Sequence, residues 1–174
     1  MNAEGSPKVG ALAEIVAWRK VASDHGEKVV LTNGCFDLIH RGHVELLREA
    51  KAQGDRLVVA LNDDDSVHRL KGPTRPLVRQ EDRAEVVAAL EMVDRVVFFG
   101  EDTPARVIEA IRPDVLVKGA DYELGEIVGR DFVESIGGRV HRVALREGRS
   151  TRGIVQIVLE RFGARAPEVG KENR

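Results

Sequence analysis

The sequence predicts an α/β fold, a doubly wound (Rossmann-like) parallel sheet of five strands with helices on both faces. Five short apolar runs alternate along the chain with segments of helical periodicity. Most of these runs lack a polar–apolar alternation, which is typical of strands that helices cover on both faces. Ligands of such sheets bind beyond the carboxyl ends of the strands, so the loops at that edge are the first place to look for a site.

The individual elements follow from the same two periodicities. The predicted strands are residues 28–32, 56–61, 95–99, 114–117 and 139–145. The predicted helices are residues 11–22, 42–53, 80–92, 104–111 and a last helix that Ser150 or Thr151 caps and that extends to Phe162. The apolar stripe of this last helix consists of Ile154, Val155, Val158, Leu159 and Phe162. We expect one domain, residues 11–162, between flexible termini at residues 1–10 and 163–174.

Composition narrows the class of protein. Of 174 residues, 43% are apolar and 32% are charged, and the formal net charge of −2 gives no overall attraction to nucleic acid or to an anionic membrane. The single cysteine excludes an internal disulfide, and no apolar run has the length of a signal peptide or a membrane span. The sequence therefore predicts a cytoplasmic domain that binds neither nucleic acid nor membrane.

The segment after the first strand combines the features of an anion-binding site. Residues 33–37 (Asn-Gly-Cys-Phe-Asp) join this strand to a helix that begins near residues 40–42. The first N–H groups of a helix are unpaired and carry a partial positive charge, and glycines at Gly34 and Gly42 let a ligand approach the backbone. His40 and His43 are three residues apart, so they share one face of the first turn and can both donate to phosphate oxygens.

Each of these residues also has a simpler interpretation. Two histidines at this spacing can be a surface pair or two metal ligands, but zinc requires a third and usually a fourth ligand, so we expect no metal site. Asp37 can be a turn or capping carboxylate, and Cys35 lies in no nucleophile elbow, which favours a buried, unreactive thiol. The P-loop and the glycine-rich dinucleotide motif are both absent from the sequence.

The same segment carries a family resemblance. Residues 34–43 fill every marked position of the pattern G-x-F-D-x-x-H-x-G-H, and on these residues the chain resembles the cytidylyltransferase-like nucleotidyltransferases. Further segments resemble the branch that transfers the adenylyl group of ATP to D-glycero-β-D-manno-heptose 1-phosphate for lipopolysaccharide-core synthesis: residues 59–67, 69–76, 91–94, 100–104 and 113–123. The likeness covers residues 28–162, and one departure is Arg152, where the branch usually has threonine.

The resemblance implies substrates and site residues. His40, His43 and Lys71 would be catalytic, with Lys71 in a loop of residues 71–76. ATP would be a substrate accompanied by Mg²⁺, a separate kinase would act on heptose 7-phosphate, and a homodimer is left open. Lys71 can also be a solvated loop lysine, Asp121 a turn carboxylate, and Arg83 either a family arginine or a helix-surface residue. The implied nucleotide-binding residues are Asn33, Gly34, Cys35, Phe36, Asp37, Gly42, Lys118, Asp121, Arg149, Ser150 and Thr151.

Two other functions fit part of the same pattern. The histidine loop interacts with phosphates rather than with bases, so a cytidylyltransferase acting on glycerol 3-phosphate or a related alcohol phosphate is the first alternative. The segments 70–76 and 117–123 favour the heptose enzyme over it. A nucleotide-binding domain without turnover is the second alternative, and the complete set of phosphate-contacting residues argues against it.

Overall fold

Five parallel strands form one sheet at the centre of the molecule. The computed structural model describes residues 5–119, 124–144 and 151–163. The strands are β1 (Val29–Gly34), β2 (Arg56–Asn62), β3 (Arg95–Phe99), β4 (Val115–Gly119) and β5 (Arg139–Val143), in the order β3-β2-β1-β4-β5. Every pairing is parallel, and Leu31 of β1 lies opposite Val58 of β2 and Leu116 of β4. The predicted five-stranded parallel sheet is confirmed, and its order reverses between β1 and β4, where doubly wound sheets bind ligands.

Helices flank the sheet on both sides. They are α1 (Leu12–Asp24), α2 (Arg41–Lys51), α3 (Asp64–Lys71), α4 (Gln80–Ala88), α5 (Ala105–Ile111), α6 (Arg130–Ser135) and α7 (Thr151–Phe162), with a 3₁₀ turn at Leu124–Glu126. The sequence did not predict α3 or α6, and α4 ends at Ala88 rather than at residue 92. In α3 the only large apolar residues are Val67 and Leu70, which is too few to produce a helical periodicity. None of the described helices is long and apolar enough to cross a membrane.

The apolar core divides into two layers, one on each face of the sheet. Val30 of β1 packs in the layer that contains Leu47 of α2 and Val87 of α4. The next residue, Leu31, points to the opposite face and packs with Ile15 of α1. Both strand residues are fully buried, which explains why the strands lack a polar face.

The two ends of the described chain behave differently. Val9 forms a parallel bridge with Val96 at the edge of β3, so residues just before the predicted domain start pair with the sheet. The domain boundary at residue 11 stays a prediction. In α7 no residue is buried, and Leu159 and Phe162 of its predicted stripe are 63% and 55% exposed, so the described residues leave that stripe largely uncovered.

Candidate functional site

The loop between β1 and α2 lies at the carboxyl edge of the sheet, beside the reversal of strand order. Its backbone has a positive φ of 47° at Phe36, a conformation that non-glycine residues rarely adopt. The Phe36 ring is 3% exposed and lies 4.9 Å from the ring of His43. A Cβ at Gly34 would come within 3.1 Å of this ring, so the absence of a side chain at Gly34 is what admits Phe36. Packing therefore fixes the unusual loop backbone.

The two histidines stack against each other at the start of α2. His40 is the residue before the helix, and His43 lies in the first turn. Their rings are 3.8 Å apart between centroids and inclined by only 19°, which confirms that they share one face. The Nδ1 atoms of both rings are buried and have no hydrogen-bond partner in the described part of the chain. An unsatisfied buried polar atom costs about 1–3 kcal/mol, so a ligand that hydrogen-bonds to these rings recovers free energy.

The surroundings keep both histidines neutral at pH 7. Burial, together with the neighbouring His40, lowers the pKa of His43 from 6.5 to about 4, and the backbone of Leu38 opposes this shift. Burial also lowers the pKa of His40. A neutral imidazole offers one N–H donor, and an anion bound beside it favours protonation of the second nitrogen. The pair can thus hold a phosphate in either protonation state.

Asp37 is engaged by protein groups on both of its carboxylate oxygens. The side chain is buried and accepts a hydrogen bond from Arg75 Nε at 2.5 Å. The backbone N–H groups of Leu77 and Val78 each donate to it at 2.9 Å. The carboxylate that the sequence assigned to the nucleotide site is therefore turned toward the segment after α3.

Arg83 is the largest fully buried side chain of the protein's described residues. Its guanidinium donates to Val78 O at 3.0 Å, to Cys35 O at 2.5 Å and to Asp64 Oδ1 at 2.8 Å. The interpretation as a helix-surface residue is wrong. Its spacing offered a signal, because Arg83 lies four residues before the apolar Val87 and so shares its inward face.

Cys35 is a half-buried thiol beside the end of β2. Burial raises its pKa, and the positive charges of Lys71 and Arg83 only partly oppose that effect. Its Sγ atom lies 3.9 Å from Asn62 Oδ1, to which it donates. A protonated thiol is a weak nucleophile, so this environment supports the structural interpretation of Cys35.

Further predicted residues gather at the same edge of the sheet. Lys118 at the end of β4 is 8% exposed and donates to the side-chain oxygen of Asn33 at the end of β1. Thr151 is the first residue of α7, and its hydroxyl lies 3.5 Å from the carbonyl of Leu38. Lys71 is exposed and ends α3, which corrects its predicted place in a loop.

Three predicted site residues lie outside the described residues, and the described residues form no metal site. Asp121, Arg149 and Ser150 lie outside the described residues. Within residues 5–119, 124–144 and 151–163, no three histidine, cysteine, aspartate or glutamate side chains come together as a metal site. Asp37, the carboxylate within the loop between β1 and α2, already accepts protein hydrogen bonds on both oxygens. The described residues therefore do not form a protein cage for Mg²⁺.

Comparison with known proteins identifies the family. The model of the cytidylyltransferase-like family matches residues 31–159. A protein from Geobacter sulfurreducens named bifunctional protein HldE is 52% identical over 165 residues, 93% of this chain and 33% of that protein. The protein of the same name from Magnetococcus marinus is 56% identical over 157 residues, 89% of this chain and 32% of its own length. The chain thus spans about a third of the length of these curated relatives.

A solved structure supports the same assignment. The crystal structure of a lipopolysaccharide core biosynthesis protein from Thermoplasma volcanium superposes with a TM-score of 0.60 and 27% identity. The match covers 70% of this chain and all of that one. The region that the family model matches includes the histidine pair at the sheet's carboxyl edge. The chain belongs to the cytidylyltransferase-like family of nucleotidyltransferases.

Proposed function

We propose that the protein transfers the adenylyl group of ATP to D-glycero-β-D-manno-heptose 1-phosphate, giving ADP-heptose and pyrophosphate. The observation that carries the chemistry is the stacked pair of His40 and His43, whose buried Nδ1 atoms lack partners in the described residues. The choice of substrates is supported by the likeness to the HldE proteins and to a lipopolysaccharide core biosynthesis protein. The sequence resemblance over residues 69–76 points the same way.

The reaction places modest demands on the protein. An oxygen of the sugar phosphate is already ionised, so it attacks the α-phosphorus of ATP without a general base. A new P–O bond forms to that oxygen, the bond from the α-phosphorus to the bridging oxygen breaks, and pyrophosphate leaves with the electron pair. The protein must hold two anions together and stabilise the charge that develops on the phosphates.

The residues at the edge of the sheet suit that role. The N-terminus of α2 and the His40–His43 pair lie together and favour an anion there. Lys71 and Lys118 add positive charge from α3 and from the end of β4. The N-terminus of α7, with Ser150 and Thr151, is the second anion site in this proposal. Because the described residues offer no carboxylate cage, ATP is expected to bring its Mg²⁺ with it.

The cellular setting is part of the proposal. ATP and a sugar 1-phosphate are small-molecule substrates, and we expect the reaction in the cytoplasm, with heptose phosphate supplied by a separate heptose 7-phosphate kinase. The relatives named bifunctional are about three times as long as the matched region, which is consistent with a second activity on the same polypeptide in those proteins. A homodimer stays open.

Pyrophosphate release from the purified protein tests the proposal. ATP and CTP are each combined with heptose 1-phosphate and with glycerol 3-phosphate, and we expect release only with ATP and the heptose. Release from CTP and glycerol 3-phosphate would establish the cytidylyltransferase alternative, and no release from any pair would favour a binding domain. His43→Ala is expected to lower kcat at least about 100-fold, as the loss of a transition-state donor does. His25→Ala, at an exposed histidine after α1, is the matched control.

A further inference from the structure

We infer that Asp37 is a positioning residue. Its carboxylate docks residues 75–78 onto the loop between β1 and α2 (residues 35–40), here called the phosphate-binding loop, and thereby places Lys71 at the phosphate site beside His40 and His43. The role of Lys71 in this inference rests on the proposed function. The docking itself follows from the contacts of Asp37 alone.

The carboxylate has little capacity left for a ligand. A carboxylate accepts about four hydrogen bonds. That of Asp37 receives one from Arg75 and one from the backbone N–H of Val78. A third is shared between its two oxygens, because Leu77 N lies 2.9 Å from Oδ1 and 3.0 Å from Oδ2. Its side chain is 1% exposed, so solvent does not replace these donors. Contacts between a buried charge and N–H donors are among the stronger hydrogen bonds of proteins. The site of Asp37 is thus built around residues 75–78.

Arg83 secures the same segment from the other side. One of its nitrogens donates to Val78 O, the end of the docked segment, and another donates to Cys35 O in the phosphate-binding loop. The third donates to Asp64 in the first turn of α3. The stretch from α3 to residue 78 is therefore tied at both ends to the loop that carries the histidines.

Lys71 lies between these two attachments. It is the last residue of α3, a helix that is also held by the buried Val67 and by hydrogen bonds from Arg69 to Asp102 and to Gly100 O. Residues 70, 71, 73 and 74 are exposed, so the segment that follows Lys71 is held mainly at residues 75–78. The positive charge of Lys71 nevertheless opposes the burial that raises the pKa of the Cys35 thiol, which agrees with an ammonium group on the side of the loop. Releasing the attachment at Asp37 should leave the histidines in place and move Lys71.

Proteolysis tests the docking without any turnover. The variant Asp37→Asn removes the charge and puts an amide N–H against donors. Trypsin cleaves after Lys71, whereas Pro76 protects the bond after Arg75, and site-specific cleavage is followed by mass spectrometry. We expect Asp37→Asn to accelerate cleavage after Lys71 at least about tenfold, the effect of losing one charge-assisted hydrogen bond. Unchanged cleavage at this bond would overturn the inference.

Two further variants test whether faster cleavage reflects the loss of docking or a general loss of stability. Asp94→Asn makes the same substitution at a carboxylate that accepts from Lys51 and from Leu57 N at the start of β2, the opposite edge of the sheet. It should leave cleavage after Lys71 unchanged, and acceleration there would show that the effect is not specific to Asp37. Arg75→Gln removes the side-chain donor to Asp37 and keeps the backbone donors of Leu77 and Val78. Its cleavage rate after Lys71 should lie between those of the wild type and Asp37→Asn. If Asp37→Asn does not fold, a wild-type cleavage rate in Arg75→Gln would overturn the inference.

Kinetics separate a positioning residue from a nucleotide ligand. In the proposed reaction, Asp37→Asn should lower kcat by about the same factor as Lys71→Ala, and the double variant should lose no more than Lys71→Ala alone. The calorimetric Kd for ATP should change by no more than it does in Lys71→Ala. ATP binding weaker than that of Lys71→Ala, or losses that multiply in the double variant, would make Asp37 a direct ligand and refute the inference. If the wild-type protein releases no pyrophosphate, the proposed function fails, while the cleavage rates still decide whether Asp37 docks the segment.

Discussion

The depressed pKa of His43 makes the stability of the protein depend on pH in a calculable way. In the unfolded chain this histidine titrates near 6.5, whereas burial and His40 lower its pKa to about 4 in the folded protein. Between these values the unfolded state binds more protons than the folded state, so stability falls as the pH falls through this window. One pKa unit corresponds to about 1.4 kcal/mol, so the full effect is at most about 3.5 kcal/mol, of which about 2 kcal/mol is lost by pH 5.

Urea unfolding of His43→Asn at several pH values measures this term. Between pH 7.5 and pH 5 the wild-type protein should lose about 2 kcal/mol more of its free energy of unfolding than the variant, because the variant has no imidazole to protonate. His25→Asn, at an exposed histidine after α1, should retain the wild-type slope. Parallel profiles for wild type and His43→Asn would show that the folded protein does not hold His43 in its neutral form, and the reasoning would fail.

Three other results are expected. ATP binding should take up protons and should tighten as the pH falls from 8 toward 6. The reason is that the bound phosphates raise the pKa of His43 above its value of about 4 in the free protein. Calorimetry in buffers of different ionisation enthalpy measures the proton uptake. Arg83→Met should lower the free energy of unfolding, measured in urea, by about 3 kcal/mol, because two backbone carbonyls lose a buried donor. The control Arg130→Met, which breaks a surface ion pair with Glu134, should lower it by less than about 0.5 kcal/mol. Gly34→Ala should lower kcat and destabilise the protein by about 1–2 kcal/mol, because the added methyl group meets the Phe36 ring; equal kcat and equal unfolding midpoints would contradict this.

The sheet and the histidine pair could be predicted because each depends on local sequence. Strands buried on both faces are apolar at consecutive positions, as Val30 and Leu31 are, and this pattern is visible without any tertiary information. The stacking of His40 and His43 follows from their spacing in one helical turn. In contrast, α3 has few apolar residues and is stabilised by the side chain of Asp63, which accepts from Ser66 N, so periodicity alone did not predict it.

The partners of the charged residues could not be predicted, because they come from distant parts of the chain. Asp37 contacts Arg75 across 38 positions, and Arg83 contacts Cys35 across 48. A carboxylate in a glycine-containing turn gives the same local signal whether it contacts a ligand or another segment. The sequence therefore indicated where charge is concentrated, and only the tertiary structure showed what each charge contacts.

The buried charges of Asp37 and Arg83 and the neutral rings of His40 and His43 have different roles at the site. Removing one member of a buried ion pair is costly, but replacing both members by apolar residues is often neutral or stabilising. The pairs of Asp37 with Arg75 and of Arg83 with Asp64 are therefore poorly explained as net contributions to overall stability. Both charges bind backbone groups of the loop or of the segment that follows α3, so their effect is to fix backbone geometry. His40 and His43 are the converse case, since their buried Nδ1 atoms have no partner in the described chain and their pKa values are lowered. The two rings pack against each other, and His43 also packs against Phe36, which limits their rotation toward other partners. The free energy that they lack in the free protein is therefore regained when a phosphate binds.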